Sequence, residues 1–234
     1  MKLQVEGSIL FFQIPVPLFK IEDLTSIVIA LLLGVTIPIF TTHANRTAFI
    51  RGVISRKDIS RGVFFAVTFA LIQAPLYIIL GTLSQYIREP VKLIITAYGE
   101  KLTFLLLIAI SLAMLLYGSA KSGVFTGFVA VRTIPVTASH LQKTSPIVMG
   151  IVALLLPSYP LTLTFILAIT FVKVTGLCFF LFAWIGNFAG LVAISVYAIR
   201  AYRRGIVELE VESVLKVAGL LMMVAGFLVW FLAL

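Results

Sequence analysis

Prolines next to hydroxyl-bearing residues interrupt two of the most apolar stretches of this sequence. Thr36 and Pro38 close the run IALLLGVTIP, and Ser158 lies between Pro157 and Pro160 in the run IVALLLPSYP. A proline removes a backbone donor and breaks or kinks a helix. In hydrocarbon, the freed carbonyls are tolerated only where protein or a water-lined cavity satisfies them. We therefore expect both breaks to border an interior site, with these five residues along a solute pathway.

Two side-chain amides supply polar groups inside other apolar runs. Gln73 precedes Pro75 in one run, and Asn187 lies within the segment GNFAG. Polar groups inside a membrane face a partner or a cavity. For Asn187 we favour a hydrogen bond between helices, because Gly186 and Gly190 form a GxxxG pattern that permits close approach. Pro75 opens the helix backbone beside Gln73, so Pro75 is also assigned to the pathway. Gln73 and Asn187 are its secondary polar contacts.

The two histidines of the chain follow the same local pattern. His43 and His140 each come after a Thr-Ile-Pro segment, with four residues in between. Neutral imidazole is a common ligand of metals and of haem iron, so the pair is a candidate metal or haem site. Both histidines also lie at expected membrane edges, where an interfacial histidine needs no further role. We favour the interfacial position and expect no cofactor, with haem ligation as the alternative.

Signatures of enzyme catalysis are missing from the sequence. The single Cys178 excludes an intrachain disulfide and a CxxC redox pair. No phosphate-binding glycine loop, HExxH segment or GxSxG segment is present. We therefore predict that the chain is not an enzyme. No acidic residue falls within an expected span, which disfavours a proton-coupled carrier, although hydroxyls, amides and carbonyls suffice to bind a neutral solute.

The composition determines the class of protein that positions these residues. Hydrophobic residues make up 61% of the 234 residues and charged residues 12%, with a mean hydropathy of +1.16. Soluble domains are roughly half apolar and about a quarter charged, so we predict an all-α, polytopic protein embedded in a lipid bilayer. A spanning helix needs about 20 mainly apolar residues. Six runs qualify: 23–42, 61–87, 102–119, 147–170, 174–199 and 214–234.

The basic residues indicate the orientation of these spans. The net charge of +9 comes from residues in short loops between apolar runs, which is typical of membrane orientation and not of nucleic-acid binding. The loops after the first, third and fifth spans are basic, so we place them on the cytoplasmic side of the plasma membrane and both termini outside. The predicted divisions are an N-terminal interfacial segment (1–22), a three-helix unit (23–120), a cytoplasmic connecting loop (121–146) and a second three-helix unit (147–234).

The two halves of the chain are similar to each other. Aligning Pro38 with Pro160 sets IALLLGVTIP against IVALLLPSYP. Because each half holds an odd number of spans, the halves must have opposite orientations, which predicts an inverted repeat with proline-broken helices 1 and 4. The functional site of such folds lies near the midplane, where the broken helices meet. The histidine pattern implies another register, since the His140 copy precedes the fourth span and the His43 copy ends the first.

The order of these features resembles the CcdA and DsbD membrane domain of the LysE-like group. The segments RGVFFAVTFALIQAPLYIILGTLSQYI, LTFLLLIAISLAMLLYG and VLKVAGLLMMVAGFLVWF are similar to that family's second, third and last spans. The resemblance implies a six-span, inverted-repeat scaffold in which spans one and four each carry a cysteine beside a proline. Thr36 and Ser158 occupy the nearest positions here, and a hydroxyl cannot carry out thiol–disulfide exchange. The resemblance therefore implies this scaffold without its redox pair.

These patterns predict a small-solute transporter or channel-like module whose pathway runs between the two proline breaks. The alternative is a non-catalytic transmembrane subunit of a larger membrane complex, such as a respiratory, haem-containing one. A transporter should present a polar cavity at Thr36 and Ser158. A complex subunit should instead present an apolar surface to its partner subunits.

Overall fold

The computed structural model describes residues 21–41, 43–98, 100–123, 133–135, 145–154, 158–170, 174–205, 208–210 and 212–233. These residues form eight helices and two short strands. The helices are α1 (Ile21–Thr36), α2 (His43–Ile54), α3 (Ile59–Tyr98), α4 (Glu100–Ser122), α5 (Pro146–Leu154), α6 (Tyr159–Thr170), α7 (Gly176–Arg203) and α8 (Glu212–Ala233). The strands are β1 (Thr133–Pro135) and β2 (Glu208–Glu210).

Four of these helices are long and apolar enough to cross a membrane. Their apolar segments are Ile59–Ile95 in α3, Phe104–Ser122 in α4, Gly176–Arg203 in α7 and Ser213–Phe231 in α8. They correspond to the second, third, fifth and sixth apolar runs of the sequence. The predicted helical class is therefore confirmed, with four helices of spanning length.

The first and fourth apolar runs do not form single long helices. α1 has 16 residues and ends at Thr36, and the chain turns before α2 begins at His43. α5 has 9 residues and ends at Leu154, and α6 begins at Tyr159. Both interruptions fall in proline-containing segments, whereas α3 continues through Pro75 and Pro90.

Helix α2 occupies a segment that the charge pattern assigns to a loop after the first span. Its apolar residues recur in pairs four apart, Phe49 with Ile50 and Val53 with Ile54, which places them on one face of a helix. All four are buried. Arg46, one turn before the first pair, is also buried. Helical structure is therefore also present after the predicted end of the first span.

α1 packs against α7 through glycines. Gly186 of α7 lies against the backbone of Leu31 and Gly34, and Gly190 lies one turn further on against Val35. A Cβ atom on Gly190 would be 2.8 Å from the carbonyl oxygen of Val35. The close approach of these helices thus depends on the GxxxG pattern, as the small-residue interpretation of this segment predicts.

α2 follows α7 toward its other end. The two helices are in contact, and Val53 near the end of α2 lies with Ile199 of α7 against Gly62 of α3. The two short helices α1 and α2 therefore run one after the other beside α7.

α5 and α6 run in a similar way beside α3. Both short helices contact α3. Gly150 of α5 lies against Ile72 of α3. Pro146 borders one cavity together with Arg61, and Leu161 borders another together with Tyr77. Both short helices therefore lie beside the same long helix.

The long helices pair α3 with α7 and α4 with α8. Gly118 of α4 and Gly219 of α8 face each other, and a Cβ atom on either would be 2.6 Å from the other's carbonyl oxygen. α1 also contacts α6. Each half of the chain thus supplies one interrupted helix pair and two long helices, and the long helices of one half contact those of the other.

The connections between helices gather at two ends of the bundle. At one end Arg203 Nη2 donates to Asp58 Oδ1 at 2.8 Å, and β1 pairs with β2 in antiparallel orientation. These contacts bring together the connections after the first, third and fifth predicted spans. At the other end Arg88 Nη1 donates to the carbonyl of Val174 at 3.1 Å. The described parts of these three connections therefore share one end, as the alternation of loop charges predicts.

We expect Gly186→Val to destabilise the protein, because its side chain would collide with the backbone of Leu31. Overpacking of this kind costs about 1–3 kcal/mol. Ala189→Val is the matched control, since Ala189 is exposed on the same helix. The measurement is the thermal unfolding midpoint in detergent. Equal midpoints for the two variants would contradict the close packing of α1 on α7.

Candidate functional site

A small cavity lies where the interrupted helices meet. Its volume is about 50 Å³, which is room for about three to five water molecules. The lining comes from the turn after α1, the start of α2, the middle of α3, the end of α5, the start of α6 and the middle of α7. Its polar lining residues are Thr41, Asn45, Arg46, Gln73, Tyr77, Ser158 and Asn187.

Gln73 and Asn187 form one wall of the cavity. Asn187 Nδ2 donates to Gln73 Oε1 at 2.8 Å, joining α7 to α3. Asn187 is buried and Gln73 is half-buried. The bond uses the side-chain N–H donor of Asn187 and the side-chain oxygen of Gln73. Both residues also border the cavity. Asn187 therefore takes part in helix packing and also contributes to the cavity wall.

Ser158 forms another wall as the N-cap of α6. Its carbonyl accepts from Thr162 N at 3.0 Å, and its Oγ accepts from Leu161 N at 3.4 Å. A serine side chain at this position satisfies a backbone donor that the first helical turn leaves free. Pro160 is buried in that turn, where a missing N–H removes no helical hydrogen bond. The N-terminal end of α6 is thereby fixed at the cavity.

The turn at the end of α1 also borders the cavity. Ile37 N donates to the carbonyls of Leu33 and Gly34, each at 3.1 Å, and Phe40 N donates to that of Thr36 at 2.9 Å. Pro38 lies in this turn and borders the cavity. These bonds form the turn that ends α1. The helix therefore ends beside the middle of α7, where the cavity lies.

Three predicted pathway residues lie outside the cavity lining, and one of them is Pro160, which is buried in the first turn of α6. Thr36 is buried, and its Oγ1 donates to the carbonyl of Leu33 at 2.7 Å, so the hydroxyl is used within α1. Pro75 is exposed on α3. Positions 73 and 75 of a helix are about 200° apart around its axis, so Gln73 faces inward while Pro75 faces outward.

Arg46 and Asn45 are cavity residues that the sequence analysis assigns to a loop. Arg46 is 5% exposed, and its Nη1 donates to the carbonyl of Ile39 at 2.6 Å. The bond ties the start of α2 to the turn after α1. The sequence could have indicated this burial through spacing. Arg46 precedes Phe49 and Ile50 by three and four residues, so it shares their face of the helix.

The remaining predicted residues do not contribute described side chains. Pro157 and His140 lie outside the described residues. His43 begins α2, and only its backbone is described. Within the described part of the chain, no group of three or more His, Cys, Asp or Glu side chains is placed to hold a metal ion. The haem and metal hypotheses thus stay sequence-based predictions.

A second polar contact joins α7 to α3. Trp184 Nε1 donates to the carbonyl of Ala70 at 2.9 Å. Each of these residues precedes its partner of the Asn187–Gln73 bond by one helical turn in the sequence.

The chain matches no family model, and it shows no significant similarity to a curated protein or to a solved structure. The functional interpretation therefore depends on the geometry of the cavity.

We expect Gln73→Ala and Asn187→Ala to be energetically coupled. Interhelical hydrogen bonds in membrane proteins are worth about 0.6 kcal/mol on average, so the double variant should lose less stability than the sum of the single variants. Reversible unfolding in mixed detergent measures the coupling free energy. Ser195→Ala paired with Gln73→Ala is the control, because Ser195 Oγ donates within its own helix to Leu191. Strict additivity at both pairs would contradict the bond.

Proposed function

We propose that this chain is a small-solute transporter or channel-like module of the plasma membrane. The observation that carries the proposal is the cavity between the two interrupted helices, which brings together Pro38, Gln73, Ser158 and Asn187. In membrane transporters, irregular backbone lines a solute site near the middle of the bundle. The cavity volume of about 50 Å³ suits a solute of a few non-hydrogen atoms.

Six membrane crossings belong to this proposal. α3, α4, α7 and α8 each cross once, α1 with α2 forms one interrupted crossing, and α5 with α6 forms another. The course of each interrupted pair beside a long helix supports this assignment. The polar groups at both interruptions are then at mid-depth, where only a cavity or a protein partner is compatible with them.

An inverted repeat is also part of the proposal. The pairing of α1 and α2 with α7 corresponds to the pairing of α5 and α6 with α3, and α3–α7 and α4–α8 contacts join equivalent helices. The presence of Pro38 and Ser158 at one cavity supports the register that aligns Pro38 with Pro160. A CcdA-like scaffold without its redox cysteines fits this arrangement.

The basic end of the bundle is proposed to face the cytoplasm. Arg203 and Arg204 are exposed there, near Asp58 and the β1–β2 ladder. Positively charged connections are retained on the cytoplasmic side of a membrane. Both chain termini are then outside.

We expect Ser158→Leu to reduce solute flux about tenfold or more, because a larger apolar side chain in the cavity wall excludes water and polar solutes. The measurement is stopped-flow uptake of small neutral solutes and ions by proteoliposomes. Thr82→Leu is the matched control: Thr82 is exposed on α3 and does not border the cavity. Equal flux through both variants would remove Ser158 from the pathway.

Purification of the protein from native membranes tests the alternative function. We expect the protein to purify alone and without colour from native membranes in mild detergent. Stoichiometric partner chains, or a reduced-minus-oxidised haem band lost in His43→Ala or His140→Ala, would favour the subunit of a membrane complex instead.

We expect Arg204→Cys and Lys92→Cys to be labelled from opposite sides of the membrane. Both side chains are exposed, and Arg204 lies at the basic end while Lys92 lies beyond Arg88 near the other end of α3. In a Cys178→Ser background, a membrane-impermeant maleimide added to intact cells should label Lys92→Cys and spare Arg204→Cys. The reverse result would invert the proposed orientation, and labelling of both would contradict the crossing of α7.

A further inference from the structure

Another cavity, here called the basic cavity, lies at the basic end of the bundle, where α3 and α5 begin. Its volume is about 390 Å³, which is within the range of small-molecule sites and well above the room that one inorganic ion needs. Its described lining consists of Arg56, Ser60, Arg61, Phe64, Phe65 and Pro146. None of these residues borders the cavity between the interrupted helices, so the described linings of the two cavities are separate.

Two arginines give the basic cavity its charge. The guanidinium carbon of Arg56 lies 5.5 Å from the centre of the Phe65 ring, a cation–π contact that holds the charge against the cavity wall. Arg61 is exposed in the first turn of α3. Within the described part of the chain, neither arginine forms an ion pair. Both guanidinium groups are therefore placed to bind an anion from outside the chain.

Acidic side chains are absent from the described lining of the basic cavity. Asp58 precedes α3, but Arg203 Nη2 donates to its Oδ1 at 2.8 Å, so another arginine engages this carboxylate. The connection 122–145, which leads to α5, contains no Asp or Glu. The N-terminal ends of α3 and α5 also carry a partial positive charge. The described lining thus combines two positive charges with no negative one.

The basic cavity adjoins the apolar surface that faces the bilayer. The apolar segment of α3 begins at Ile59, so Ser60 and Arg61 lie where this span starts. Phe64, one turn further along the helix, is 72% exposed. Exposed apolar side chains also follow Pro146 along α5, namely Ile147, Val148 and Ile151. A charged cavity next to such a surface fits a molecule that has an anionic headgroup and acyl chains.

We propose that the basic cavity binds the headgroup of an anionic phospholipid, with Arg56 and Arg61 as the residues that recognise its phosphate. Guanidinium groups bind phosphate through paired N–H donors, and the Ser60 hydroxyl is a further donor. Basic pockets between helices on the cytoplasmic side of a membrane are typical sites of anionic headgroups. The volume of about 390 Å³ favours a headgroup over a free phosphate ion. This inference does not depend on the transport proposal, because it concerns a separate cavity.

The test measures the thermal unfolding midpoint of the purified protein in neutral detergent, because a ligand that binds the folded state raises the midpoint. The probes are dioleoyl phosphatidylglycerol, dioleoyl phosphatidylcholine and sodium phosphate, all at equal ionic strength. We expect phosphatidylglycerol to raise the midpoint by about 3 °C or more above the value in phosphatidylcholine. Sodium phosphate should leave the midpoint unchanged.

Two variants locate the effect. Arg61→Gln should lose at least half of the rise caused by phosphatidylglycerol, and it should fold because Arg61 is exposed. Arg204→Gln is the matched control, since Arg204 is exposed at the same end of the bundle and outside the described lining, and it should keep the full rise. Equal rises in wild type and Arg61→Gln would overturn the site, because attraction to the net charge of the protein would then explain them.

The lipid probes also test the kind of ligand. Equal rises with phosphatidylglycerol and phosphatidylcholine would overturn recognition of an anionic headgroup. A rise in sodium phosphate that Arg61→Gln lacks would assign the cavity to a free anion and overturn the lipid as its occupant.

Native mass spectrometry gives a measurement that does not depend on thermal stability. From an equimolar mixture of the two lipids, wild type and Arg204→Gln should retain phosphatidylglycerol in preference to phosphatidylcholine. The double variant Arg56→Gln with Arg61→Gln should lose this preference. A preference that persists in the double variant would contradict the assignment of both arginines.

Discussion

The structure depends on one constraint: a helix interrupted inside a membrane must satisfy its free backbone groups without bulk water. At the end of α1, turn hydrogen bonds and the Arg46 guanidinium on Ile39 meet this requirement. At the start of α6, Ser158 caps the first turn, and Pro160 has no N–H to satisfy. These solutions place polar groups at both interruptions. Because both interruptions lie in the same part of the bundle, the polar groups collect around one small cavity.

Helix packing and the cavity are consequences of the same residues. Gly186 and Gly190 bring α7 against α1, and Asn187 between them reaches Gln73 on α3. A larger side chain at either glycine would separate α7 from α1 and move Asn187 with it. The packing interpretation of Asn187 and the pathway interpretation are therefore compatible, since the residue joins two helices and also borders the cavity.

Sequence patterns predict the parts of this fold that depend on local chemistry. Long apolar runs give α3, α4, α7 and α8. Prolines lie in the sequence of both interruptions, but α3 continues through Pro75 and Pro90, so a proline alone does not specify where a helix ends. Helix α2 is harder to predict from the sequence, because its arginines are typical of a basic loop between spans. The burial of Arg46 depends on a carbonyl freed by the preceding turn, which only the folded chain shows. Thr36 and Pro75 do not line the cavity, because their side chains point elsewhere. The position of a residue beside a proline does not determine the direction of its side chain.

The most direct test of a water-accessible cavity at the two interruptions is the reactivity of a cysteine at Ser158 in native membranes. In a Cys178→Ser background, Ser158→Cys should react with a small water-soluble thiol reagent, because the thiolate forms only where water reaches it. Thr164→Cys is the control, since Thr164 is buried in α6 and does not border the cavity. Reaction at Ser158→Cys alone is the predicted result. Equal lack of reaction at both positions, in folded protein, would contradict the cavity as a solute site.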